Sequence, residues 1–211
     1  MSKRVFVLDV GVGSLGNELR WLSEDLPALG VSDWMAHGFE ACAESHRVAS
    51  ARLSDLPMVH VHRIAIADRE GTCRLYHTDN VDGHSIYATK NNVLDAANNH
   101  EDMTCTRASV FLASCPEFPA DINILRFNVE GAEWVLADDL DRSGLLSRFQ
   151  IVCGNCGGDI TVVDELHQVG KYQSFLDIMA RHGVQQFWYC WDTINDEASR
   201  ATMRGRIKAL L

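Results

Sequence analysis

Short apolar runs alternate with stretches in which leucine recurs at helical spacing, and the alternation runs through most of the chain. Residues 4–10 form a compact apolar run that carries Asp9 and ends in a glycine loop, which predicts a first strand. Leu15, Leu19, Leu22 and Leu26 then fall at helical spacing, predicting a helix over about 16–26 that Pro27 closes. By the same reading 33–40 is a second strand, 43–53 a second helix ahead of Pro57, and 58–67, rich in Val and Ile, a third strand. A turn at 68–71 and a short extended piece at 72–77 follow.

Residues 78–102 break this rhythm. They are polar, rich in Asn and without clear periodicity, as a functional loop or lid inside a compact domain would be. Regularity then returns, with a short strand expected at 104–107, a helical turn at 109–114 and a strong strand at 121–129. Further on, 132–140 reads as helix, 148–153 as strand, 164–182 as a long helix, 184–191 as strand and 196–211 as a polar helical tail. Strands and helices alternating at these lengths predict an α/β fold with a mostly parallel sheet and right-handed crossovers. Ligands of such sheets bind beyond the carboxyl ends of the strands, where strand order reverses. That rule selects the loops after Asp9, Glu40, Ala67 and Asn128.

Composition narrows the function. At 211 residues and 46% hydrophobic, the chain fits one domain and supplies an ample core. A net charge of −10 repels phosphate backbones, and the basic residues are scattered, so nucleic acid is a disfavoured partner. No stretch approaches the length of a membrane-spanning helix. The first residues run directly into a strand with no long apolar segment, and the seven cysteines show no disulfide framework. A cytoplasmic protein with reduced thiols is the expectation.

Gly11, Gly13 and Gly16 spell G-x-G-x-x-G, which alone fits a dinucleotide site. Asp9 stands just ahead of them, where a pyrophosphate would lie beside the turn and the helix N-terminus. A carboxylate opposes that anion and suits S-adenosylmethionine, which carries sulfonium and ammonium charges and no phosphate. Glu40, at the end of the second strand, is placed to accept hydrogen bonds from both ribose hydroxyls, a little beyond the spacing of about 20 residues usual after such a loop. Ala67 and Asp68 fall where an adenine would sit, although Asp also favours turns for its own sake.

Val7-Leu8-Asp9-Val10-Gly11, Gly38-Phe39-Glu40, the stretch from Ile64 to Gly71, and Asn128-Val129-Glu130-Gly131-Ala132-Glu133 together resemble the FkbM-type methyltransferases. The resemblance spans about residues 5 to 140 and is most specific from Ile124 to Glu133. It implies a three-layer, Rossmann-like class I methyltransferase sandwich that uses S-adenosylmethionine to O-methylate a sugar or other small-molecule hydroxyl. By that similarity Asp9, Gly11 and Gly13 contact the methionine part of the cofactor, Glu40 the ribose, and Ala67 and Asp68 the adenine. The sequence departs from the family at Asn128, where Asp is usual, and Asn takes no proton at neutral pH. The family's sheet also ends in an antiparallel strand pair, for which 184–191 is the single good candidate.

A hydroxyl acceptor needs a base. Glu130, directly after the fourth strand of the core, is the first candidate; Glu133 and His84 are the others, and Asn128 is placed to orient the acceptor. Cys153-x-x-Cys156 lacks a second pair at zinc spacing and reads as a buried thiol plus a loop cysteine. His60 and His62 share one face of a strand, a metal-compatible geometry with no carboxylate that sequence alone can assign. Trp188, Tyr189 and Trp191 read as packing aromatics. Three functions stay open at this stage: a small-molecule methyltransferase, a nucleotide (NAD)-dependent oxidoreductase on the same kind of sheet, and a cofactor-binding relative without activity. A homo-oligomer is compatible with all three.

Overall fold

The computed structural model describes residues 3–80, 82–90, 92–154, 170–184, 189 and 196–211. Its centre is β1 (Val5–Val10), flanked by β2 (Trp34–Phe39) and β7 (Ile122–Phe127), with β3 (Val59–His62) and β8 (Ile151–Gly154) at the edges. All four pairings in this order, β3-β2-β1-β7-β8, are parallel. Every residue of β1 and β7 is buried, and burial on both faces is why these segments read as mostly apolar runs. The molecule is therefore an α/β protein around a five-stranded parallel sheet.

Strand alternation divides the core in two. Val5 and Val7 join Ile122, Ile124, Leu19, Leu22, Leu26 and Ile207, under α1 (Asn17–Ala28), α2 (Ala43–Arg52) and α6 (Asp196–Leu210). Phe6, Leu8 and Val10 join Leu125, Phe127, Leu112, Leu136 and Phe175, under α3 (Ala108–Ser114), α4 (Glu133–Arg142) and α5 (Lys171–Arg181). Helix α1 passes through Pro27 and ends at Ala28, because a proline in the last turn removes only one helical amide.

A second, three-stranded sheet has the order β4-β6-β5, built from β4 (Ala65–Ile66), β5 (Gly71–Tyr76) and β6 (His100–Thr106). It corrects the reading of 58–67 as one strand. The chain leaves the central sheet after His62, and Ala65 and Ile66 pair with Cys105 and Thr106 instead. Strand β6 also starts earlier than expected. Met103 and Cys105 are buried while Asp102 and Thr104 are exposed, so this one-sided strand looks polar in sequence. The expected helix at 164–182 is described from Lys171, and the expected strand at 184–191 lies outside the described residues except Val184 and Tyr189. Among the described residues no helix is long and apolar enough to cross a membrane.

One charged cluster sits inside this apolar frame. Arg126 is the register partner of Asp9 on the adjacent strand, so both side chains leave the same face of the sheet. The Arg126 guanidinium lies 3.0 Å from the Asp9 carboxylate and 2.8 Å from Glu18 of α1, and it also donates to the Gly11 carbonyl. All three side chains are buried. Removing the cation would leave two carboxylates buried without it, a change that costs about 3–5 kcal/mol. Arg126→Met should lower the unfolding free energy by about that amount in urea titrations with the slope unchanged; a loss below about 1 kcal/mol would show that the cluster is not a structural requirement.

Candidate functional site

Strand order reverses between β1 and β7, and the loops that follow these strands diverge to open a crevice. The two loops also touch at the strand ends. The Asn128 amide donates to the Val10 carbonyl at 2.8 Å. Gly11 has φ +87°, and a Cβ there would lie 1.9 Å from the Asn128 carbonyl oxygen, so only glycine allows this approach. Glu133, at the start of α4, accepts from the Val129 and Gly131 amides at 3.2 and 3.0 Å and fixes the second loop. Its carboxylate has a structural partner in each case.

Between the loops lies a cleft of about 950 Å³, counted to its open mouth. Ile64, Ala65, Ile66 and Ile86 give it an apolar wall, while Glu18, Glu40, Asp82 and Glu130 give it four carboxylates against the single guanidinium of Arg126. The glycine loop turns its amides towards protein acceptors. Those of Gly11 and Val12 donate to the Phe39 carbonyl at 2.9 and 3.1 Å. The Gly13 amide donates to Glu40 Oε2 at 2.8 Å, and the Ser14 amide to Asp82 Oδ1 at 2.7 Å. Glu40 Oε1 accepts from the Cys42 amide at 2.9 Å. Burial pushes the Glu40 carboxyl up to about 7, opposed by these two amides and reinforced by the neighbouring Asp82 and Asp9. Burial likewise pushes Asp9 up to about 6 despite Arg126, with Glu18 adding to the rise.

The irregular segment between β5 and β6 packs over the loop after β7. Asp82, His84 and Ile86 line the cleft. Ser85 Oγ donates to the Glu130 carbonyl at 2.8 Å, and the Trp134 indole donates to the Tyr87 hydroxyl at 3.0 Å. Lys90 is buried, donates to the Gly83 carbonyl at 2.7 Å and pairs with the Glu130 carboxylate. Glu130 itself has φ +54°, a left-handed conformation costly for a residue with a side chain, and these contacts hold it there. His84 Nδ1 accepts the Thr78 amide at 3.1 Å, so the neutral ring carries its proton on Nε2 and presents a donor. Burial, with His77 nearby, holds this ring below the usual imidazole range. Asn128 Oδ1 is buried and has no hydrogen-bond partner among the described residues.

Seven residues singled out from sequence thus meet in one cleft: Gly11, Gly13, Gly16, Glu40, His84, Asn128 and Glu130. Four do not: Glu133 holds the loop amides instead, and the others are Asp9, Ala67 and Asp68. Asp9 belongs to the Arg126 cluster and is absent from the cleft lining. Ala67 and Asp68 border a neighbouring hollow with Arg69 and Tyr76, and the exposed Asp68 carboxylate pairs with Arg69 at 3.2 Å. Sequence reasoning missed Glu18, Asp82 and Lys90 altogether and gave Arg126 no role of its own. A lone cation in the apolar strand Ile122–Phe127 was a usable signal for Arg126; nothing in the aperiodic segment distinguished Asp82 or Lys90. Cys153 is buried at the end of β8 with its thiol pushed up by burial, and Cys156 lies outside the described residues. Cys42, Cys73, Cys105 and Cys115 are likewise buried free thiols.

Comparison with models of known protein families, and with curated proteins, finds no match for this chain. The site's chemistry must therefore be judged on its own geometry.

Glu40 offers a direct check on that geometry. Its folded pKa of about 7 lies above the ordinary 4.5, so the native state holds a proton that the unfolded chain has released over that window. The stability this group contributes is complete below pH 4.5 and is lost as pH rises through 7. Glu40→Gln should remove this part of the pH slope in urea titrations between about pH 5 and about pH 8. An unchanged slope would show that the carboxyl is not strained by burial.

Proposed function

We propose that the cleft binds S-adenosylmethionine and that the chain is a methyltransferase acting on a small-molecule hydroxyl. The observation that carries this reading is the fate of the glycine-loop amides. In a dinucleotide site such amides face a pyrophosphate. Here the amides of Gly11, Val12, Gly13 and Ser14 are all taken by protein oxygens, two of them carboxylate oxygens. Four carboxylates around the cleft disfavour an anion further and favour a ligand with cationic groups. The resemblance to FkbM-type methyltransferases and the position of the cleft at the switch point of the parallel sheet support the same ligand.

In this reading each cleft residue has a task. Glu40 keeps a second lone pair on each oxygen for ribose hydroxyls. Asn128 Oδ1 accepts a hydrogen bond from an amine or hydroxyl of the ligands, which supplies the partner its burial demands. The apolar wall of Ile64, Ile66 and Ile86 excludes water. S-adenosylmethionine, when bound, supplies an electrophilic methyl group on sulfur. Glu130 would take the acceptor's hydroxyl proton. Lys90 pairs with the Glu130 carboxylate and holds it in place. Alignment of acceptor and methyl carries much of the rate, an effect worth up to about 7–11 kcal/mol.

One alternative has a specific observation behind it. Glu130 is ion-paired, His84 presents a donor and Asn128 is not a base, which fits a relative that binds the cofactor without transferring methyl. Calorimetry with S-adenosylhomocysteine and with NAD tests the ligand first: the former should bind at least about tenfold more tightly, a gap of about 1.4 kcal/mol. Binding of NAD alone would overturn the proposal. Asn128→Ala should weaken S-adenosylhomocysteine binding about tenfold, whereas Glu130→Gln should leave binding nearly intact and slow transfer to a hydroxyl acceptor.

A further inference from the structure

The opposite edge of the central sheet carries a second constellation that the cleft does not use. His37 on β2 is the register partner of His60 on the edge strand β3, and His62 lies two positions further along. Their imidazoles cluster on one face, with ring centroids 5.3 Å apart and tilted for His37 and His60, and 5.2 Å apart and stacked for His37 and His62. The loop between α3 and β7 brings Cys115 and Glu117 against His37. The carboxylate that the paired histidines lack in sequence is thus supplied by a segment distant in the chain.

We propose that His37 Nε2, Cys115 Sγ and Glu117 form a zinc site whose fourth position faces solvent. Their donor atoms lie within 4.8 Å of one another. Cys115 Sγ is 3.2 Å and His37 Nε2 is 3.7 Å from the same Glu117 oxygen. Tetrahedral zinc with bonds of about 2.0–2.3 Å places its ligand atoms roughly 3.3–3.8 Å apart, so two of the three edges are close to final length before any metal arrives. His37 is nine-tenths buried, and its Nε2 has no hydrogen-bond partner among the described residues. An orphaned, buried ring nitrogen aimed at a thiol and a carboxylate calls for a cation as its partner.

A neighbouring ring readies His37 for coordination. His37 Nδ1 lies 2.9 Å from His62 Nε2, and a proton shared there leaves the Nε2 lone pair of His37 free to coordinate. The side chain of Glu117 is one-third exposed, which gives the ion an entry path. Imidazole, thiolate and carboxylate together select zinc over magnesium or calcium, which take oxygen ligands. On binding, the Cys115 S–H bond breaks, its proton leaves to solvent, and the sulfur pair forms the bond to zinc. The metal would clamp residues 115–121 to β2, on the far side of the sheet from Arg126 and Glu18. The site is independent of the cofactor reading.

Titration of the chelator-stripped protein with cobalt tests the proposal. One equivalent of cobalt should give a near-ultraviolet thiolate-to-cobalt charge-transfer band that zinc displaces, with about one proton released per ion bound. Cys115→Ser should abolish the band, while Cys73→Ser, a buried cysteine on the other sheet, should retain it. Should Cys115→Ser lose its cooperative unfolding, Glu117→Gln at a partly exposed position provides the second reading, with a drop in affinity of at least about tenfold. His62→Phe should weaken binding by about 10–100-fold through the second ring nitrogen of His37. No band in the unaltered protein, a band that survives in Cys115→Ser, or undiminished affinity in Glu117→Gln would overturn the site.

Discussion

A guanidinium buried in the middle of a parallel sheet imposes a severe constraint, because an uncompensated charge there is far more costly than the fold's net stability can absorb. Arg126 meets it with Asp9 from the next strand, Glu18 from the first helix and the carbonyl of Gly11. Those partners come from β1, α1 and the loop between them. Satisfying the charge therefore fixes the end of β7 against the start of the glycine loop. The crevice at the strand-order reversal inherits its floor from that arrangement.

The acidic character of the cleft follows from the same economy of positive charge. Arg126 is already shared between two carboxylates, and Glu40 and Asp82 turn to backbone amides of the glycine loop for their hydrogen bonds. Burial pushes both Asp9 and Glu40 above the ordinary carboxyl range, and Arg126 is the one permanent cation among the residues that line the cleft. A cationic ligand relieves that shortage, and a phosphate worsens it. The lid segment adds a second layer of the same kind: Lys90 neutralises Glu130, while Ser85 holds the backbone of Glu130 in its left-handed turn. The zinc site proposed between β2 and the loop after α3 answers a similar local shortage, there of a partner for a buried ring nitrogen.

Much of the fold was legible because buried parallel strands announce themselves as short, mostly apolar runs. β1, β2, β7 and β8, and the helices α1, α2 and α4, fall within a few residues of their expected bounds. The break after His62 was not legible, since Val-rich and Ile-rich pieces on two sheets look like one strand. That break explains the fate of Ala67 and Asp68. The strand belonging to the central sheet ends at His62, so Ile64, Ala65 and Ile66 reach the cleft and the two residues after them do not. Asp9 was read as a ligand contact from its place ahead of the glycines, but its register partner on β7 is invisible without the sheet pairing. Glu40, Asn128 and Glu130 were accessible because each ends a strand or follows one directly.

The most direct measurement is a crystal structure with S-adenosylhomocysteine bound. The ligand should occupy the cleft between the loops after β1 and β7, with its ribose hydroxyls on Glu40, a donor on Asn128 Oδ1, and the Gly13 and Ser14 amides still held by Glu40 and Asp82. A ligand lying outside this cleft, or loop amides released from those carboxylates to face the ligand, would contradict the claim that the cleft is built for an adenosyl ligand without phosphate.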